Sequence, residues 1–168
     1  MRSRIPLALL AAAALILSGC QGGKTSAKHD GPALNGYHKQ KVVYHINYDN
    51  AKKQGGALRN IQNHINAVCK DNLDVKVVMH GTGLSLLLDP DALSQVPKFK
   101  AANATDKMTA KIDGLKNQGV NFSVCANTVR GRKVDMDMLH DVDKGDIVPS
   151  GVAELSHLQG AGYTYIKP

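Results

Sequence analysis

Cys125 is the residue whose type and position best suit covalent chemistry. The run Val120-Asn121-Phe122-Ser123-Val124-Cys125 reads as a strand that ends on it, and in open parallel sheets the reactive groups collect outside the carboxyl ends of the strands. Ala126-Asn127-Thr128 follows and can start a helix, with Arg130 and Arg132 close behind. Backbone N–H groups at a helix start and cationic side chains both favour thiolate over thiol, and the thiolate is the nucleophile. A second strand, Asp74 to His80, ends on an imidazole and the turn Gly81-Thr82-Gly83. A base and open backbone N–H groups would then face the same crevice. On residue types alone two plainer readings stand beside this one: a strand-end cysteine as a small buried hydrophobe, and His80 as a hydrogen-bonded loop residue.

The elements that must position these groups follow from the hydrophobic pattern. Lys41 to Asp49, rich in β-branched and aromatic residues, reads as a strand running into a loop at Asn50 and the Gly55-Gly56 pair. Leu58, Ile61, Ile65 and Val68 form one apolar stripe of a helix that closes before Asp71-Asn72. Met108, Ile112 and Leu115 mark a second helix, which Asn103 or Thr105 can cap and Gly119 can close. Residues 84 to 103 break at Asp89-Pro90 and again before Pro97, which predicts a short helix and a long excursion. Asp146 to Pro149 is a short apolar stretch, Ser150 can cap a helix bearing Val152, Leu155 and Leu158, and Tyr163 to Ile166 is a last strand. Strands alternating with helices predict one α/β domain: three layers around a mainly parallel sheet of about five strands.

Composition removes several functions. The chain carries 43% apolar and 21% charged residues, a globular balance. It has no Trp, five Tyr and two Phe, too few aromatics for a single-strand nucleic-acid platform. Of the net charge of +7, only +3 belongs to residues 41 to 168, which gives no ground for a nucleic-acid groove. Three cysteines exclude a disulfide scaffold. Cys69, at the end of the first helix, lies at the opposite sheet edge from Cys125, so no bridge is expected and a buried side chain beside Ile65 accounts for it. His64 borders the apolar face of the same helix. The acidic run Asp135 to Asp143 has neither calcium-loop nor zinc-pair spacing and reads as a solvated segment. His29 and His38 read as solvated, and Met79, His80 and Cys125 form a soft set that suits Cu(I) as a minor alternative. No metal or other cofactor is otherwise implied.

The front of the chain is an address. Arg2 and Arg4 precede a 13-residue apolar run from Ile5 to Leu17, shorter than the roughly 20 residues of a spanning helix, and so a secretion signal. Its close, Leu17-Ser18-Gly19-Cys20, resembles the lipobox of bacterial lipoproteins. That resemblance implies a signal peptide over 1–20 and acylation of Cys20. Gln21 behind it resembles lipoproteins sorted to the periplasmic face of an outer membrane. Residues 21–40, with four Gly and one Pro, read as a flexible tether about 25 Å in reach, ahead of a domain over 41–168.

Two stretches carry a further resemblance: GVNFSVCANTVRGRKVD from Gly119 to Asp135, and IVPSGVAELSHLQGAGYTYIKP from Ile147 to Pro168. Together they resemble the DsrE/DsrF-like family of small sulfur-relay proteins, with KVVYHIN and KVVMHGTG as looser matches. The resemblance implies a three-layer sheet, assembly into trimers or hexamers, and a Cys that carries sulfur as persulfide, which by motif is Cys125. Its site neighbours would be His80, Gly81, Thr82, Gly83, Asn127, Thr128 and Arg130. A sulfur donor or acceptor, protein or small thiol, would be the partner. Two alternatives stay open: a binding or assembly module of the same fold without turnover, and a metal-binding lipoprotein.

Overall fold

The computed structural model describes residues 37–168. The signal-like run, Cys20, Gln21, His29 and most of the tether therefore lie outside the described residues. Five strands, β1 (Gln40–Ile46), β2 (Leu73–Met79), β3 (Asn121–Cys125), β4 (Ile147–Val148) and β5 (Thr164–Ile166), form one sheet in the order β4-β3-β2-β1-β5. Every pairing is parallel. The helices are α1 (Ala51–Val68), α2 (Asp106–Lys116), α3 (Ala126–Arg132) and α4 (Gly151–Gly160). None of the helices among the described residues is long and apolar enough to cross a membrane.

This strand order decides where the helices go. From β1 to β4 the chain steps across the sheet in one direction, and right-handed crossovers put the intervening helices on one face. The return from β4 to β5 runs the other way, so α4 lies on the opposite face. Packing agrees. The α1 stripe Leu58, Ile61 and Ile65 and the α2 stripe Met108, Ile112 and Leu115 share one apolar cluster with Val42, Tyr44, Ile46, Val77, Met79, Phe122 and Val124. The other cluster contains only Val43, Val78, Leu155 and Leu158, with Tyr163 packed against it. Loops leaving β3 and β4 thus diverge to opposite faces, which opens a crevice at the carboxyl ends of those two strands.

Three local expectations are corrected. The loop expected at residues 50–56 is helix from Ala51 on, because the Asn50 side chain accepts the Lys53 backbone N–H at 2.9 Å and starts α1. The helix continues through Gly55, where an added Cβ would lie 3.6 Å from Met108 Cε. Residues 84–103 hold no α-helix but two 3₁₀ turns, Gly81–Leu86 and Pro90–Gln95, and they bury Leu84, Leu86, Leu87, Leu88, Val96 and Phe99. A buried polar network fastens them to α1. Gln54 Nε2 donates to Tyr48 O at 2.7 Å and Ser85 Oγ at 3.0 Å, and Asn103 Nδ2 donates to Gln54 Oε1 at 2.7 Å. Asn103 is spent there, and Thr105 holds the N-cap position of α2. Cys69 is half-buried rather than buried; it caps α1 with φ 71° and its N–H bonds Ile65 O. His64 is half-buried and bonds Tyr44 Oη and Gln40 Oε1, each at 3.0 Å.

Candidate functional site

Strand register places the groups. Met79 pairs with Val124, so His80 and Cys125, one residue further on each strand, emerge side by side. Side chains alternate along a strand, so Val43 and His45 on β1, Val78 on β2 with His80 one residue past its end, and Ser123 and Cys125 on β3 all project to the α4 face. Met79 projects to the other face and is fully buried in the large core. The soft set of Met79, His80 and Cys125 is therefore split by the sheet.

Cys125 is 5% exposed and is the residue that precedes α3. Burial pushes its thiol pKa up. Hydrogen bonds from the Gly151 N–H, the Thr128 hydroxyl, the Thr128 N–H and the Asn127 N–H outweigh that burial and leave the pKa below its ordinary value. Three of these donors are first-turn amides, of α3 at Asn127 and Thr128 and of α4 at Gly151, that have no partner within their own helix. The Thr128 hydroxyl also accepts the Gly81 N–H at 2.8 Å, so it joins the two strand ends. The expected arginine contribution is not what lowers the pKa. Arg130 donates to Asn127 Oδ1 at 2.6 Å, and Arg132 lies 4.6 Å from the Phe99 ring centre and donates to the Lys98 carbonyl.

Gly151, the first residue of α4, closes the site from the β4 side. A Cβ there would stand 2.9 Å from His80 Cβ and 3.3 Å from Cys125 Cβ, so only glycine lets α4 lie this close to both groups. Behind His80 runs a hydrogen-bonded row. His45 Nε2 meets His80 Nε2 at 2.7 Å, and His45 Nδ1 meets Tyr165 Oη at 2.7 Å. The two imidazoles are stacked at 4.7 Å. One proton is shared in each contact, so the row fixes the tautomers of both rings together. Burial, then the charges of His80 and Lys167, pushes the His45 pKa down to about 4. Burial and Lys167 lower that of His80 as well. Both rings are neutral at neutral pH.

A cavity of ≈ 780 Å³ opens over Cys125, with His80, Gly81, Asn127 and Thr128 in its wall. The excursion supplies Pro97, Lys98 and Lys100, α3 supplies Gly131 and Arg132, and the β4–α4 corner supplies Ser150 and Val152. Three expected neighbours stand elsewhere. Thr82 Oγ1 donates to Asn47 O at 3.0 Å. Gly83 is packed so tightly on β1 that a Cβ would come within 2.0 Å of Ile46 O. Arg130 turns to Asn127 on the surface. In the acidic segment Asp135, Asp137, Asp141 and Asp143 are exposed, with Asp141 paired to Lys116 and His140 to Asp113, each at 2.7 Å. Among the described residues no group of three or more His, Cys, Asp or Glu is placed to hold a metal ion.

Sequence reasoning missed His45, Tyr165, Gly151, Lys98 and Lys100. For His45 a signal existed, since two-residue alternation puts it on the Val43 face of β1, but its meeting with His80 needs the β1–β2 register. For Gly151 the Ser150 cap gave the position and nothing gave the close approach.

The sequence model of the DsrE/DsrF-like family matches residues 40–168. No curated protein matches the chain. Among solved structures, a protein of unknown function from Methanobacterium thermoautotrophicum is similar at 26% identity, with a TM-score of 0.60; the match covers 77% of this chain and 100% of that one.

Proposed function

Because the chain belongs to the DsrE/DsrF-like family, a family often linked to sulfur relay, we propose that Cys125 accepts sulfane sulfur as a persulfide and hands it on. The observation that carries this reading is a buried thiol whose anion is met by three backbone N–H groups and a hydroxyl at the floor of an open cavity. In the accepting step the Cys125 thiolate attacks the outer sulfur of a donor. A Cys–S–S bond forms, the bond from that sulfur to its carrier breaks, and the electron pair leaves on the carrier. No net oxidation occurs. Neutral His80 can take a proton from an incoming thiol and, as the imidazolium so formed, return it to the departing thiolate. Handing on is the reverse, with an acceptor thiolate attacking the outer sulfur.

The setting belongs to the same proposal. Cys20 becomes the acylated N-terminus, the tether holds the domain near the periplasmic face of the outer membrane, and the domain self-associates as trimers or hexamers. The 13-residue run ending in Leu-Ser-Gly-Cys and the family resemblance support it. More than one acyl chain would make that anchoring stable.

Intact mass of the full chain after exposure to a sulfur donor is the test. The expected result is one added sulfur that maps to Cys125, is released by excess thiol and is absent in Cys125→Ser. Addition at Cys69 alone, or none, would retire the relay reading and leave a binding module of the same fold. Recovery of the mature protein in the soluble fraction without lipid on Cys20 would retire the anchor.

A further inference from the structure

The cavity over Cys125 has one sign of charge. Lys98, Lys100 and Arg132 line it, and no Asp or Glu does. Among the described residues none of the three is in an ion pair with a carboxylate. Two of the charges are held by hydrogen bonds at the surface. Lys98 Nζ donates to Gly131 O at 2.6 Å, while the Arg132 guanidinium lies over Phe99 and donates back to the Lys98 carbonyl. This reciprocal clasp joins the excursion to α3 across the cavity wall. It leaves donors over on both side chains, since an ammonium has three and a guanidinium five. Lys100 is exposed beside them.

These cations are not what lowers the Cys125 pKa, which is done by the amides and the hydroxyl next to the sulfur. Their charge is therefore available to the far end of a molecule whose near end touches Cys125. A cleft lined by one sign of charge concentrates ligands of the opposite sign.

Resting on the relay reading for its chemistry, we infer that this cavity is an anion-recognising site that selects, for Cys125, donors whose leaving group carries ionised oxygens. Two sources share that chemistry. One is a persulfide of a carboxylate-bearing thiol, from which the step releases the thiolate: Cys–S⁻ and HS–S–R become Cys–S–SH and R–S⁻. The other is thiosulfate, from which it releases sulfite: Cys–S⁻ and S–SO₃²⁻ become Cys–S–S⁻ and SO₃²⁻. Both steps balance without an added oxidant, reductant or proton.

The test separates charge preference from sulfur chemistry. Cys125 in the full chain is alkylated with iodoacetate and with iodoacetamide, and the ratio of the two rates is compared with that for glutathione. The expected ratio is higher than glutathione's by about tenfold at low ionic strength, falls as salt is added, and drops toward glutathione's in the Lys98→Gln/Lys100→Gln double variant, which leaves Arg132 in place. Lys100→Glu, at an exposed position, gives the same direction without touching the clasp. Loading is then followed with glutathione persulfide, thiosulfate and cysteamine persulfide. Faster loading from the first or the second than from cationic cysteamine persulfide supports the inference, and the faster of those two identifies the source. A ratio equal to glutathione's and unmoved by salt or by either variant overturns it, even where sulfur loads from every donor. A raised, salt-sensitive ratio with no sulfur loaded from any donor leaves the anion site standing and removes the relay reading instead.

Discussion

The two faces of the sheet are built to different ends. One is covered by α1, α2, α3 and the excursion, and it buries a continuous apolar cluster from Val42 to Leu139. The other has α4, a cluster of four buried residues, and a row of polar groups from Tyr165 through His45 and His80 to the neighbourhood of Cys125. Strand alternation makes this division possible, since neighbouring residues on β1, β2 and β3 serve opposite faces. Met79 anchors the core and His80 the site; Val124 anchors the core and Cys125 the site. Stability is concentrated on one face, which leaves the other able to hold buried polar groups at a crevice. The cavity over the thiol lies where the two faces meet at the carboxyl edge, walled by the excursion and α3 on one side and by Ser150 and Val152 on the other.

That division is open to experiment, beginning with the core. Phe122→Ala, which empties a fully buried site in the large cluster, is expected to cost about 3–5 kcal/mol in urea unfolding. Leu155→Ala on the α4 face is expected near the lower end for its class, about 2 kcal/mol. An equal or larger cost for Leu155→Ala would show that the two faces share the load.

Gly151→Ala reverses the balance. Its Cβ would sit 2.9 Å from His80 Cβ, so a modest stability loss of about 1–3 kcal/mol is expected with a larger effect on chemistry. Cys125 alkylation at neutral pH should slow by roughly tenfold to a hundredfold, the scale on which small misplacements act. Unchanged alkylation would mean that α4 yields and the close approach is incidental.

Thr128→Val removes one donor to the Cys125 sulfur and the acceptor of the Gly81 N–H. Stability should fall by about 1–3 kcal/mol for the orphaned amide, and the alkylation profile should move to higher pH. Thr128→Ser should restore the profile.

A further expected effect is in pH dependence. His45 titrates near 4 in the folded protein against an ordinary 6.5, so the unfolded chain takes up the proton first. The contribution is fully present above about 6.5 and is lost as pH falls toward about 4. His80, also lowered, adds in the same direction, with Lys167 the other charge acting on the pair. His45→Gln should flatten the slope in that window without altering stability at pH 8 by a comparable amount. A slope unchanged by the substitution would place its origin in other groups.

Much of the apolar face was legible in the sequence, because periodicity reports burial directly. The α1 and α2 stripes, the parallel strands and the Ser150 start of α4 follow from spacing and caps. The excursion was not, since its burial rests on Gln54, Ser85 and Asn103, polar residues whose meeting depends on tertiary structure rather than on any local period. Of the site, the strand ends at His80 and Cys125 were visible, together with the helix start that supplies Asn127 and Thr128. Register brought in His45, and the return crossover brought in Gly151. Neither leaves a trace in a local pattern. Arg130 and Arg132 were misread for a related reason: proximity in sequence to Cys125 says nothing about which way a helical side chain turns.

The pH profile of Cys125 alkylation in the full chain, with glutathione measured alongside, is the most direct test of a thiol held ready by backbone amides. The half-maximal rate should fall at lower pH than for glutathione, stay in place in Arg130→Ala, and shift upward in Thr128→Val. A midpoint at or above that of glutathione, or one that follows Arg130 rather than Thr128, would mean that the Thr128 hydroxyl and the amides at Asn127, Thr128 and Gly151 do not poise this sulfur.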